Sequence, residues 1–404
     1  MKKQSFFLGA IILVIASFIN RIIGFVYRIL AVRLVGAEGI GLYEMVFPVY
    51  IMVLVLATAG FPLAISRLVS VQMAKNNIAA AYKIFKVSLF FLFCSGLFFS
   101  FALYYLLPYL LDFAFQDDRV YLIFKTMIPA IFIISVSSAF RGFFQGLHQM
   151  WPTALTQTIE QLVRVFIGLS LAVYLIPRGI EYGVVGLAVG MVMGEVIGLA
   201  FIVLIYLKKR PVYVPGGENI SLFYILKDIH HLSVPITITK TFATVILAIE
   251  AMLLPKRLAV AGLSLREATT VYGQYSGMAL SLLVLPTILT ISLAVTLVPA
   301  IAEAHAQRNR YAISTRVHNS IKLTILVGIP SSIVFYCFGP EITSLLFNNQ
   351  DSGYMLRILA LGGIFLYLQQ TTSGILQGLG EVRAILQNTL IGGLVRLGGI
   401  YYLT

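Results

Sequence analysis

Gly142-Phe143-Phe144-Gln145-Gly146-Leu147 returns 232 residues later as Gly374-Ile375-Leu376-Gln377-Gly378-Leu379. The register holds on both sides. At the same offset Tyr104 meets Tyr336, Pro108 meets Pro340, Phe115 meets Phe347 and Lys125 meets Arg357, and Leu162-Val163-Arg164 meets Leu394-Val395-Arg396. From 104 to 164 the alignment needs no gap. Chance apolar similarity does not keep polar residues in step, so the chain carries an internal repeat, and the repeat decides the architecture.

The surroundings of the repeat are those of a membrane protein. Of 404 residues 59% are hydrophobic and only 11% charged, against about 25% charged in soluble domains. Glycine and proline are scattered through the apolar background, which helices in lipid tolerate better than soluble ones. A net charge of +13 invites a nucleic-acid reading. The basic residues instead lie between apolar spans and form no continuous face, so no nucleic-acid partner is expected. Cys94 and Cys337 fall in apolar stretches and give no disulfide framework. Lys2 and Lys3 followed by apolar residues 6–18 imitate a secretory signal, but the stretch runs on without a cleavage site and reads as the first spanning helix.

A spanning helix needs about 20 apolar residues. Spans are predicted at 6–31, 40–68, 86–107, 121–147, 153–176, 183–207, 232–254, 271–300, 320–338, 354–378 and 385–404. Six spans separate the repeat copies. That even number points both copies the same way, as expected of a parallel repeat about an axis along the membrane normal. The predicted fold is an all-α polytopic membrane protein: two parallel six-helix bundles around a central cavity. Residues 1–207 form the N-terminal bundle, 208–231 a cytoplasmic linker with an interfacial helix at 221–230, and 232–404 the C-terminal bundle. Twelve spans are expected and the sequence ends within the eleventh, so the second bundle reads as truncated. Lys75, Lys83, Lys86, Lys208, Lys209, Arg210, Arg308, Arg310 and Arg316 share a side with Lys2 and Lys3, which predicts a cytoplasmic N-terminus.

Ionisable residues inside spans are costly and are therefore functional candidates, with snorkelling or a helix-bracing ion pair as the plain alternatives. Arg21 and Arg28 lie two turns apart on one helix face. In the fifth span Thr153, Gln157, Glu160, Gln161 and Arg164 form a polar stripe at helical spacing. Glu160 precedes Arg164 by one turn, an ion-pair geometry, yet the second copy keeps Arg396 with Gly392 and Gly393 where Glu160 and Gln161 stand. Arg21, Arg164 and Arg396 are expected to line one cavity. Lys240 is a further lining candidate, and Glu195 and Glu250 are candidate ion-coupling residues, with Glu250 and Glu44, near the outer ends of their spans, the weaker. Gly186, Gly190, Gly194 and Gly198 make a ridge for close helix packing. No phosphate loop ending in Gly-Lys-Ser/Thr occurs, the histidines lack metal spacing, and no segment outside the spans is long enough for a catalytic domain. The sequence therefore predicts no enzyme, no metal and no cofactor.

Several segments together carry a resemblance. They are residues 20–25 (Asn-Arg-Ile-Ile-Gly-Phe), 36–43, 60–69, 140–146, Glu160 to Arg164, Tyr272-Gly273-Gln274 and 297–303. As a set, covering essentially the whole chain, they resemble the stage V sporulation protein B family. That family belongs to the multidrug/oligosaccharidyl-lipid/polysaccharide exporter superfamily. The resemblance implies a flippase moving undecaprenyl-pyrophosphate-linked saccharide by alternating access across the bacterial cytoplasmic membrane, for peptidoglycan, spore cortex or another polymer. It implies membrane lipids and cell-envelope synthesis proteins as partners. Related lipid II flippases carry cavity arginines, one of which matches Arg21, while their second-helix arginine pair is replaced by Val53-Leu54-Val55-Leu56. The alternative within the superfamily is a cation-coupled multidrug antiporter, which needs a carboxylate-centred site.

Overall fold

The computed structural model describes residues 6–115, 117–209 and 221–403. Lys2, Lys3 and Arg210 lie outside them. Every regular element among the described residues is helical. In chain order the helices are α1 (Phe6–Thr58), α2 (Phe61–Ala74), α3 (Ile78–Ala114), α4 (Val120–Gly146), α5 (Trp151–Leu175) and α6 (Ile180–Lys209). There follow α7 (Leu222–Val260), α8 (Leu265–Tyr272), a π-helical turn (Gly273–Ala279) and α9 (Leu280–Leu283). The last are α10 (Thr287–Ala306), α11 (Arg310–Phe347), α12 (Asp351–Leu379) and α13 (Val382–Leu403). Eight helical stretches among the described residues are long and apolar enough to cross a membrane; the first, Leu13–Ala74, is long enough to cross twice.

The chain packs as two compact units. The first holds residues 1–35 and 45–256, the second 36–44 and 257–404. The helix α1 therefore contributes to both, and its backbone leaves helical geometry at Gly36, with φ 70° and ψ −175°.

Three span expectations need correction. The predicted span 40–68 breaks at Ala59 and Gly60, both at positive φ. A Cβ on Gly60 would lie 2.9 Å from the Ser233 carbonyl oxygen, so only glycine fits, and Pro62 then opens α2. The interfacial helix 221–230 and the seventh span are one helix, α7. Ile225 and Ile229 hold its start in the core beside Phe85, Phe140, Phe143 and Ile65. The span 271–300 is interrupted by the π-helical turn and by a break ahead of Thr287, where Pro286 sits.

Contacts repeat where the sequence repeats. In the first unit Gly142 lies against Pro62 and Gly146 against Ser66 and Val69; in the second Gly374 lies against Ala294 and Gly378 against Val298 and Ile301. Each partner is displaced by the same 232 residues. Ile65, Val69 and Phe143 belong to the first core, and their equivalents Leu297, Ile301 and Ile375 form the second. Lys125 stacks over Tyr104 and Arg357 over Tyr336, at 5.8 and 4.8 Å from the ring centres. Lipid supplies no hydrophobic drive for helices to meet, so these close glycine approaches and their van der Waals contacts hold each unit together. The outward face of α3 presents Phe90, Phe98, Tyr105, Tyr109 and Phe113, all exposed, as a lipid-facing helix should.

Within the second unit, residues 37–44 cross residues 269–276. A Cβ on Gly41 would lie 2.1 Å from the Thr269 carbonyl oxygen, and one on Gly273 would lie 2.0 Å from that of Ala37. The contact is reciprocal at the repeat offset, so a local two-fold axis runs through it. Near that axis the Ser276 hydroxyl meets the Glu44 carboxylate at 3.2 Å, joining residues 232 apart. Tyr272 donates to the Glu44 carbonyl at 3.3 Å.

Candidate functional site

The small-residue ridge of α6 brings it against α5. A Cβ on Gly190 would lie 2.2 Å from the Gly168 Cα, one on Gly186 2.5 Å from the Ala172 nitrogen, and one on Gly194 2.7 Å from the Glu160 carbonyl. The ridge thus does the packing its sequence predicts. Its last member does more. A Cβ on Gly198 would lie 2.1 Å from Glu160 Oε1, so that glycine makes the seat in which the Glu160 carboxylate rests.

Four charged side chains meet at this seam. Glu160 of α5 pairs closely with Arg141 of α4. Arg141 also faces Glu195 of α6, with Nη2 3.9 Å from Oε2. Glu195 Oε1 in turn accepts a hydrogen bond from Arg164 Nη2 of α5 at 3.1 Å. The result is an alternating chain, Glu160–Arg141–Glu195–Arg164, formally neutral when both acids are ionised. Spacing along α5 predicts a Glu160–Arg164 pair; the structure interposes Arg141 and Glu195 from the neighbouring helices, and each α5 charge takes one of them as its hydrogen-bond partner. Exposure grades along the chain: the side chains of Glu160 and Glu195 are 7% and 8% exposed, Arg141 16% and Arg164 25%. Arg164 is the accessible end.

The other predicted residues are distributed around this cluster. Gln161 packs on α1, its Nε2 3.3 Å from where a Gly24 Cβ would stand. One turn earlier, Asn20 Oδ1 is buried without a hydrogen-bond partner. Arg21 is exposed, Arg28 and Gln157 are half-buried, Lys240 is exposed, and Glu250 is buried in α7. In the second unit Arg396 donates to the Tyr275 hydroxyl at 3.1 Å. Sequence reasoning passed over Arg141, the residue that bridges both acids. Its signal was present: an arginine inside an apolar span, directly before the Gly142 that starts the repeated motif, with Ser373 at the equivalent position. No group of three metal-ligating side chains occurs among the described residues.

Helices of membrane-spanning length and a buried chain of charge define the class: a multi-pass membrane protein. Comparison with known proteins gives the family. Residues 7–305 match the model of the family described as polysaccharide biosynthesis protein, and residues 268–401 match the MatE model. The chain is 30% identical to stage V sporulation protein B of Bacillus subtilis (strain 168) over all of its own length and 78% of that protein. It is 25% identical to the lipid II flippase MurJ of the same organism, covering 96% of this chain and 75% of that one. Among solved structures it resembles an inward-facing multidrug resistance MATE family transporter of the MOP superfamily. The TM-score is 0.78 at 19% identity, covering 94% of this chain and 86% of that chain. The chain belongs to the polysaccharide biosynthesis protein family, and its fold is that of the MATE family transporter structure.

Proposed function

We propose that this protein is a flippase for an anionic lipid-linked saccharide of the undecaprenyl-pyrophosphate type, working in the bacterial cytoplasmic membrane by alternating access. The observation that carries the reading is Arg164: the most exposed member of a charge chain inside apolar helices, hydrogen-bonded to the buried carboxylate of Glu195. An arginine fork matches the oxygens of a diphosphate and can exchange one anionic partner for another. Glu195, rather than Glu160, is the partner that cargo would displace, because Glu160 is occupied by Arg141 and seated on Gly198. Arg21, exposed on α1 of the same unit, is the second cargo contact. The family and its lipid II flippase relative support the cargo class.

Reconstitution tests it. Proteoliposomes holding the full chain should translocate a fluorescent polyprenyl-diphosphate saccharide and leave a cationic drug where it started. Drug transport without lipid transport would establish the multidrug antiporter instead. The basic-residue bias puts the N-terminus and the start of α3, with Lys83, on the cytoplasmic side. Labelling of a cysteine at position 83 by an impermeant reagent in intact cells would reverse that orientation.

A further inference from the structure

Glu195 is held by the arginine that cargo would claim. Its Oε1 accepts from Arg164. Its Oε2 is buried with no hydrogen-bond partner, 3.9 Å from an Arg141 that is already paired with Glu160. The charged groups facing it are Arg141 from α4 and Glu160 and Arg164 from α5. With the four together the cluster is neutral. Once an incoming diphosphate takes Arg164, two buried carboxylates are left around one arginine. A buried carboxylate stripped of its cation costs several kcal/mol, and adding a proton removes that cost.

We propose that Glu195 is a proton-loading site coupled to cargo: as the diphosphate displaces it from Arg164, its carboxylate takes one proton from water, and it returns that proton when cargo leaves and the ion pair re-forms. The step forms one O–H bond on the Glu195 carboxyl group and breaks no bond in cargo or protein. A proton gained with cargo on one side of the membrane and lost with it on the other travels in the same direction as the saccharide. Cargo movement then responds to the proton gradient. This inference rests on the flippase reading and adds the coupling ion to it.

The test counts protons on binding. The full chain in detergent is titrated with a farnesyl diphosphate capped by N-acetylglucosamine, a diphosphodiester that does not itself titrate near neutrality. Calorimetry near neutral pH in buffers of unlike ionisation heat should read about one proton taken up per molecule bound. Glu195→Gln should bind the same probe with no uptake. Where that variant fails to fold, Glu195→Asp keeps the carboxylate and should keep the uptake with a displaced pH profile. Binding to the parent without proton uptake overturns the proposal alone, as does undiminished uptake in Glu195→Gln or an unmoved profile in Glu195→Asp. No binding of the probe to the parent overturns the cargo reading itself, and this proposal falls with it.

Discussion

Arg164 and Arg396 occupy equivalent positions in the two copies of one repeat, and the copies repeat their glycine contacts, core triads and cation–π pairs. Their electrostatic settings nevertheless differ. Arg164 donates to a buried carboxylate and ends a chain of four charges; Arg396 donates to the neutral hydroxyl of Tyr275. Where the first unit has Arg141 and Glu160, the second has Ser373 and Gly392. The two copies keep their packing contacts, and at the seam the charged partners of α4 and α5 differ. Helix packing in lipid constrains small residues in contact, whereas a buried charge is constrained only by its partners. A pair that is lost together leaves the packing intact.

Arg141→Gln leaves Glu160 buried without its ion-pair partner and should cost about 3–5 kcal/mol, read as a lower unfolding temperature in detergent. Ser373→Ala at the equivalent site should stay within about 0.5 kcal/mol. Equal effects at the two positions would erase the distinction between the units.

Arg164→Gln removes charge-assisted contacts worth about 1.5–3 kcal/mol, so cargo affinity should fall by roughly 10- to 100-fold. Arg396→Gln, at a side chain that donates to a neutral hydroxyl, should lose less than about tenfold. Transport at matched membrane abundance ranks the two, and the reverse order would move the principal cargo contact to the second unit.

Gly198→Ala tests the seat of the Glu160 carboxylate. Its new Cβ would stand 2.1 Å from Glu160 Oε1, so the carboxylate must leave its seat, at about 1–3 kcal/mol. Gly392→Ala, at the position equivalent to Glu160, meets nothing within 4 Å and should be neutral or stabilising by up to about 1 kcal/mol. Thermal unfolding of both variants checks the pair.

The smallest effect concerns α8, where Ser264 and Glu267 close a capping box; Val32 and Val35 stand at the equivalent positions in the first copy. The Ser264 hydroxyl and backbone N–H both donate to the Glu267 carboxylate, at 2.7 and 2.8 Å, and hold it below its ordinary value of 4.5. The folded value is the depressed one. Its contribution is therefore present above 4.5 and fades as pH falls through the lowered value. The protection of the amides at the start of α8, relative to their intrinsic exchange rate at each pH, should fall in acid, and Glu267→Gln should flatten that dependence.

The architecture was legible because polar residues stayed in register across the repeat, and the glycine ridge because small residues at helical spacing have few other uses in lipid. The break at Gly60 was hidden from a hydropathy reading, which registers the length of an apolar run and not its backbone angles; a glycine two residues before Pro62 was the available sign. The α7 merger was hidden for a similar reason, since Ile225 and Ile229 look alike whether they enter a core or a bilayer. In the site, Arg164, Glu160 and Glu195 were each legible as costly buried charges. Their pairing was not. Spacing along one helix favours Glu160 with Arg164, and only the approach of α4 and α6 decides that Arg141 and Glu195 come between them.

The reciprocal crossing at Gly41 and Gly273 bears on how such a chain arose. A contact in which residue i meets j and the copy of j meets the copy of i is the isologous contact of a two-fold dimer. Fusing two identical half-length chains in tandem would leave that interface where it was. A half-length ancestor pairing with itself through one glycine is thus a sufficient precursor. Once the halves were covalently joined, each was free to change alone, as Glu44 opposite Ser276 shows: an acid facing a hydroxyl where a symmetric ancestor would have set two identical side chains face to face.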